Sequence, residues 1–205
     1  MEAGAQNLIA HIRIAKSFGV PVVVAINRFK TDSDAEIALL KKIATDNGAY
    51  DAVLSDHWAQ GGKGAAPLAQ AVVKACEQPK DFTYTYDLDA SIEEKIATIA
   101  TRIYGADGVD YLPAAKKKIA LYESLGYGEF PVCMAKTHLS ISHDPKLKGA
   151  PTGFTLPIRD IRVSVGAGFL TPLCGDMRTM PGLPSKPAFE NVDIDLETGR
   201  IVGLF

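Results

Sequence analysis

Three cysteines in 205 residues, Cys76, Cys133 and Cys174, are too few and too scattered for a disulfide framework. No CxxC pair is present, and none of the four histidines (His11, His57, His138, His143) stands at zinc spacing from another His or Cys, so no metal site is expected. The thiol pattern suits a reducing, cytoplasmic setting in which cysteines act as small buried hydrophobes. Charge of one sign is also lacking. A net charge of −2 gives the chain no overall attraction for nucleic acid or an anionic membrane. Lys116-Lys117-Lys118 is the only basic run, and it reads as the solvated face of a helix. No apolar run approaches membrane-spanning length, and Glu2 and Gly4 stand where a secretory leader would need a basic start and an apolar core. There is no GxSxG elbow for a Ser-His-Asp hydrolase. Gly61-Gly62-Lys63-Gly64 fails as a Walker loop, because His57 replaces the first glycine and Gly64 stands where Ser or Thr should meet magnesium.

What is present is an α/β pattern. Ala5–Phe18 carries apolar residues at helical spacing and Gly19 follows as a stop. Val22–Ile26 is apolar on both faces, as in a strand buried within a parallel sheet. A helix over Asp34–Asp46, a strand over Tyr50–Leu54 and a helix over Gly64–Gln78 complete a βαβ-type winding. Phe82–Tyr86 alternates like a strand. Ser91-Ile-Glu-Glu94 is a capping box opening a helix that ends near Gly105, and Pro113–Leu125 is a helix with proline in its first turn. The character then changes. Short strands are expected at Pro131–Ala135, Phe154–Ile158, Ile161–Val165 and Phe169–Leu173, with a hairpin of Val192–Asp195 and Arg200–Leu204 across Glu197–Gly199. The expected organisation is a wound α/β region over residues 1–128 and a smaller mixed region over 129–205.

Several segments could carry chemistry. Asn27–Ser33 follows a strand, where ligands of wound α/β sheets gather, but equally it reads as an Asx turn feeding a helix N-cap. Phe29 and Trp58 each sit in a loop after a strand. Parallel neighbours would bring the two rings to one sheet edge, where they could clamp a flat heterocycle; alternatively, one or both pack in the core. The glycines at 61–64 are either a tight turn or an anion-holding helix start. Ser140–Asp144 is a dense polar loop, and the backbone of Lys148–Gly153 could approach a planar ring closely. Met180-Pro-Gly-Leu-Pro184 is a rigid turn, a connector or a ligand wall.

Five segments in order give a resemblance over essentially the whole chain. They are Val22–Asp32, His57–Gly64, Ile103–Asp107, Met134–His138 and Thr179–Pro184. Together they resemble the C-terminal portion of formate–tetrahydrofolate ligase, and are similar to the synthetase part of the eukaryotic trifunctional C1-tetrahydrofolate synthase. The resemblance implies ATP-dependent formylation of N10 of tetrahydrofolate through formyl phosphate, with Mg2+ and a monovalent cation accompanying ATP. It implies a P-loop NTPase-like parent fold whose phosphate loop and formyl-phosphate arginine belong to a missing N-terminal half. It assigns Phe29, Leu54 and Trp58 to the folate pocket and Leu147, Lys148, Gly149, Ala150 and Pro151 to the nucleotide side. It places no catalytic residue in this chain, so the isolated chain is expected to be inactive, and its partners are folate, ATP, formate and the missing half or further copies. A non-catalytic folate-binding or structural fragment of a split or truncated gene is the alternative.

Overall fold

A computed structural model describes residues 2–177 and 185–203. The turn expected at 180–184 and the last two residues lie outside that range. The N-terminal half opens with α1 (Glu2–Lys16), then β1 (Val23–Asn27), α2 (Asp34–Asp46) and β2 (Asp51–Ser55). A four-residue helix, α3 (His57–Gln60), leads into α4 (Gly62–Cys76). Strands β1 and β2 pair in parallel, from Val23 beside Asp51 to Asn27 beside Ser55. A small core of Ile12, Ile26, Ala44, Ala49 and Ala52 joins α1, α2 and the sheet. The expectation that β1 is buried on both faces does not hold: only Ile26 is buried and Ala25 is exposed. With β2 as its sole described partner, β1 has one open edge.

Residues 82–86 form no strand. Their neighbourhood is stitched to the end of α1 instead, with the amides of Asp81 and Thr83 donating to the carbonyls of Gly19 and Phe18 at 3.0 and 3.2 Å. Chain alternation alone cannot make a strand where no neighbour offers a ladder.

The second core lies in α5 (Ile92–Thr98), a π-helical turn (Ile99–Ile103), β3 (Gly108–Tyr111), α6 (Pro113–Ser124), β4 (Thr155–Ser164) and β5 (Phe169–Cys174). The sheet order is β3-β4-β5, with β3 parallel and β5 antiparallel to β4. Leu156, Ile158, Ile161 and Leu170 are fully buried there. Sequence reading missed β3, and it split β4 in two. Ile158 and Ile161 are three residues apart, so a regular pleat would turn them to opposite faces; a bulge between Ile158 and Asp160 lets both face the core.

Pro131–Ala135 lies beside β5 but touches it only through isolated bridges at Val132 and Ala135. The amides of Leu170 and Cys174 donate to Pro131 and Ala135, whereas Pro172 between them has no N–H to give Cys133. That missing donor interrupts the expected strand. The C-terminal hairpin pairs β6 (Asp193–Ile194) with β7 (Ile201–Val202). Cys174 is buried as expected, whereas Cys76 and Cys133 are exposed. In the lysine run, Lys118 pairs with Asp160 at 2.9 Å. No helix among the described residues is long and apolar enough to cross a membrane.

Candidate functional site

Parallel pairing decides the geometry of the first site. Because Asn27 lies beside Ser55, the chain leaves β1 and β2 side by side at their C-terminal ends. The Arg28 amide donates to the Ser55 carbonyl at 3.2 Å and ties the two exits together. Phe29 follows one exit and Trp58 the other, and neither ring packs in the core: they are 69% and 90% exposed. Between them opens a cleft of about 670 Å3 lined by Asn27–Lys30 and Ser55–Ala59, within the size range of small-molecule pockets.

Its walls are held by short-range bonds. The Asp32 carboxylate accepts from the Phe29 amide at 2.8 Å, closing the first turn. Ser33 caps α2 in a full capping box with Glu36, so the expected N-cap is present at the same turn. Arg28 donates to Asp34 at 3.0 Å. On the other wall, the buried Ser55 hydroxyl and His57 Nδ1 lie 2.9 Å apart, and Gln60 donates to Asp56 at 2.6 Å.

The glycine cluster is a turn fitted to this wall. Gly61 takes φ 58°, ending α3 and beginning α4. At Gly64 a Cβ would lie 2.2 Å from the Asp56 carbonyl oxygen, so only glycine lets α4 approach the Asp56–His57 peptide this closely. Leu54 sits elsewhere: it packs against the N-terminal core, beside Ile26 in the sheet, and does not line the cleft.

A second cleft, of about 440 Å3, lies between α1 and the 136–149 loop. Lys148 and Gly149 line it, with Asn7, His11, Tyr104, Lys136 and His138. Asn7 Nδ2 donates to the Gly149 carbonyl at 2.9 Å, tying α1 to a loop 142 residues away. Leu147, Ala150 and Pro151 lie outside the lining, and the Leu147 carbonyl instead accepts from Ser140 Oγ at 2.5 Å. Burial pushes the Tyr104 phenol up to about 12, with the Cys174 and Cys133 thiols adding to the shift. Burial lowers Lys136, partly opposed by Cys174. Tyr104 and Lys136 lie in two of the segments that carry the resemblance, but sequence reading gave neither a role, since nothing in their spacing marks them as neighbours. Among the described residues, no three His, Cys, Asp or Glu side chains converge to hold a metal.

Comparison with known proteins matches the whole chain to one family. The family described as formate–tetrahydrofolate ligase matches residues 1–205. The chain is 58% identical over 205 residues to a formate–tetrahydrofolate ligase of Desulforamulus reducens, covering all of this chain and 36% of that protein. It is 56% identical over 201 residues to the enzyme of that name from Roseiflexus castenholzii, covering 98% of this chain and 36% of the other. It is 57% identical over 205 residues to the cytoplasmic C-1-tetrahydrofolate synthase of Mus musculus, of which it spans 22%. The chain thus spans between about a fifth and about a third of the length of these relatives. At this identity, and over its whole length, the chain belongs to the formate–tetrahydrofolate ligase family.

Proposed function

We propose that this chain supplies the folate-stacking wall and the nucleotide-base side of a formate–tetrahydrofolate ligase. The parent reaction joins formate to N10 of tetrahydrofolate at the cost of ATP, giving ADP, phosphate and 10-formyltetrahydrofolate through formyl phosphate. The observation that carries this is the pair Phe29 and Trp58, two exposed rings flanking one cleft of about 670 Å3. A pteridine between them would gain roughly 1–3 kcal/mol per ring, by analogy with bases on aromatic platforms. The Lys148–Gly149 edge of the second cleft would meet the nucleotide base.

Phosphoryl transfer is mostly positioning and charge stabilisation. In this proposal the phosphate loop, the formyl-phosphate arginine and the sites for Mg2+ and a monovalent cation lie in the part of the family's length that this chain does not span. Residues 1–128 then belong to a P-loop NTPase-like wound region and 129–205 to a smaller mixed region, in a cytoplasmic enzyme completed by its N-terminal half or by further copies.

Trp58 is the sole tryptophan, so its fluorescence tests the folate half directly. Tetrahydrofolate is expected to quench or shift its emission saturably, and unchanged emission at millimolar ligand refutes the folate wall. Formate-dependent ADP release by the 205-residue chain alone would refute the assignment of phosphate chemistry elsewhere.

A further inference from the structure

The loop bordering the second cleft has too few apolar anchors to hold its own shape. Only Ile141 of its apolar side chains is buried, while Leu139 and Leu147 are exposed. What organises it is polar. The Lys136 ammonium donates to the Thr137 carbonyl at 2.9 Å and, more closely, to the Ser140 carbonyl. It also stands 5.2 Å from the centroid of the Tyr104 ring, within cation–π range. No carboxylate pairs with it among the described residues. Two backbone carbonyls and an aromatic face are what solvate this half-buried charge, and that requires the turn to stay folded around it.

The turn then fixes the rim of the cleft. Ser140 Oγ accepts from the Ser142 amide at 3.0 Å and donates to the Leu147 carbonyl at 2.5 Å. Lys148 Nζ returns to the Leu139 carbonyl at 3.2 Å. A chain of contacts therefore runs from Tyr104 through Lys136 and Ser140 to the 147–148 rim.

We propose that Lys136 is a positioning residue: its ammonium, clasped by the 137–140 turn over Tyr104, sets the rim at Leu147–Gly149 for a nucleotide base. The second half of this statement rests on the nucleotide reading above; the first does not. The test uses the 205-residue chain as wild type, Lys136→Met and Lys136→Arg. Amide exchange is followed at Ser142 and Asp144 in the loop and at Leu156 and Ile161 in the central sheet, with Gly149 amide shifts read during titration with ATP.

Lys136→Met is expected to speed loop exchange about tenfold or more, the scale of a lost charge-assisted bond, while the sheet amides hold. It should weaken the ATP response of Gly149 by a similar factor. Lys136→Arg, which keeps charge and donors, should restore both to within about threefold. Should Lys136→Met not fold, Ser140→Ala cuts the same chain one link later and should loosen the Ser142 amide and the 147–149 rim while the sheet amides hold. Loop exchange unchanged in Lys136→Met, a rise shared equally by the sheet, no rescue by arginine, or an unmoved rim in Ser140→Ala overturns the proposal. An ATP-silent wild type refutes the nucleotide reading, and loop exchange still decides the role of Lys136.

Discussion

Gly64→Ala is the sharpest perturbation of the proposed folate wall. The added Cβ would lie 2.2 Å from the Asp56 oxygen, 2.4 Å from its carbonyl carbon and 2.8 Å from the His57 nitrogen. The obstacle is backbone, so it cannot rotate away, and the Asp56–His57 peptide must retreat by about 0.8 Å or more. Overpacking of this kind costs about 1–3 kcal/mol. Retreat also strains the Asp56 amide bond to the Gly64 carbonyl, at 3.1 Å, worth about 0.5–1.5 kcal/mol. The helix preference of alanine over glycine returns about 1 kcal/mol, leaving a net loss of about 0.5–3.5 kcal/mol. Two neighbours serve as controls. Gly62 has nothing within 4 Å of a built Cβ, so Gly62→Ala should be neutral or stabilising. Gly61 has open space but φ 58°, so Gly61→Ala should lose about 1–3 kcal/mol through backbone strain alone. Urea denaturation gives the stabilities, and tetrahydrofolate titration of Trp58 gives the function. Gly64→Ala should weaken that response at least about fivefold, because the displaced peptide carries Trp58 with it. Gly64→Ala matching Gly62→Ala in stability, with a wild-type folate response, would refute the close-approach account.

Phe29→Ala and Trp58→Ala should each weaken tetrahydrofolate binding about 5- to 150-fold by calorimetry, with stability within about 0.5 kcal/mol because both rings are exposed; wild-type affinity in both would sink the clamp. Burial pushes the Cys174 thiol up to about 12 from its ordinary 9.0, with Lys136 partly opposing. The unfolded thiol ionises first, so the stability it contributes is complete below pH 9 and is lost as pH rises toward 12. Cys174→Ala should therefore lose stability less steeply between pH 9 and 10 in urea melts, and identical slopes would count against it. The Ser91 backbone amide, then its hydroxyl, hold the Glu94 carboxylate below its ordinary 4.5. That stabilisation is present above pH 4.5 and lost as pH falls through the lowered value. Ser91→Ala removes only the hydroxyl, so the Glu94 titration followed by NMR should move partway toward 4.5; an unmoved midpoint would be the contrary result.

Local chemistry was legible in the sequence wherever near neighbours decide the outcome. The N-cap at the end of the 27–33 turn, the capping box at Ser91, the proline-opened α6 and the helices α1, α2 and α4 all follow from spacing within one turn of chain, and the structure has them within a few residues of expectation. The hairpin across Glu197–Gly199 was legible for the same reason. Strands that depend on distant partners were not. Phe82–Tyr86 has alternation but no ladder, β3 has a ladder but little pattern, and Pro131–Ala135 is interrupted by the absent amide of Pro172, nearly forty residues away. The five ordered motifs were enough to identify the family.

What the sequence alone determined is which side chains are present in each loop and which family they resemble; the folate clamp and nucleotide rim are proposals built on that resemblance. That Phe29 and Trp58 share one cleft was decided by the parallel register of Asn27 with Ser55, and that Leu54 turns inward was decided by the same sheet. That Lys136 meets Tyr104 and Ser140 was decided by the folding of a loop around a charge. The physical reason is common to all three: side-chain type is written locally, but a pairing register or the solvation of a half-buried ammonium exists only once remote segments have come together.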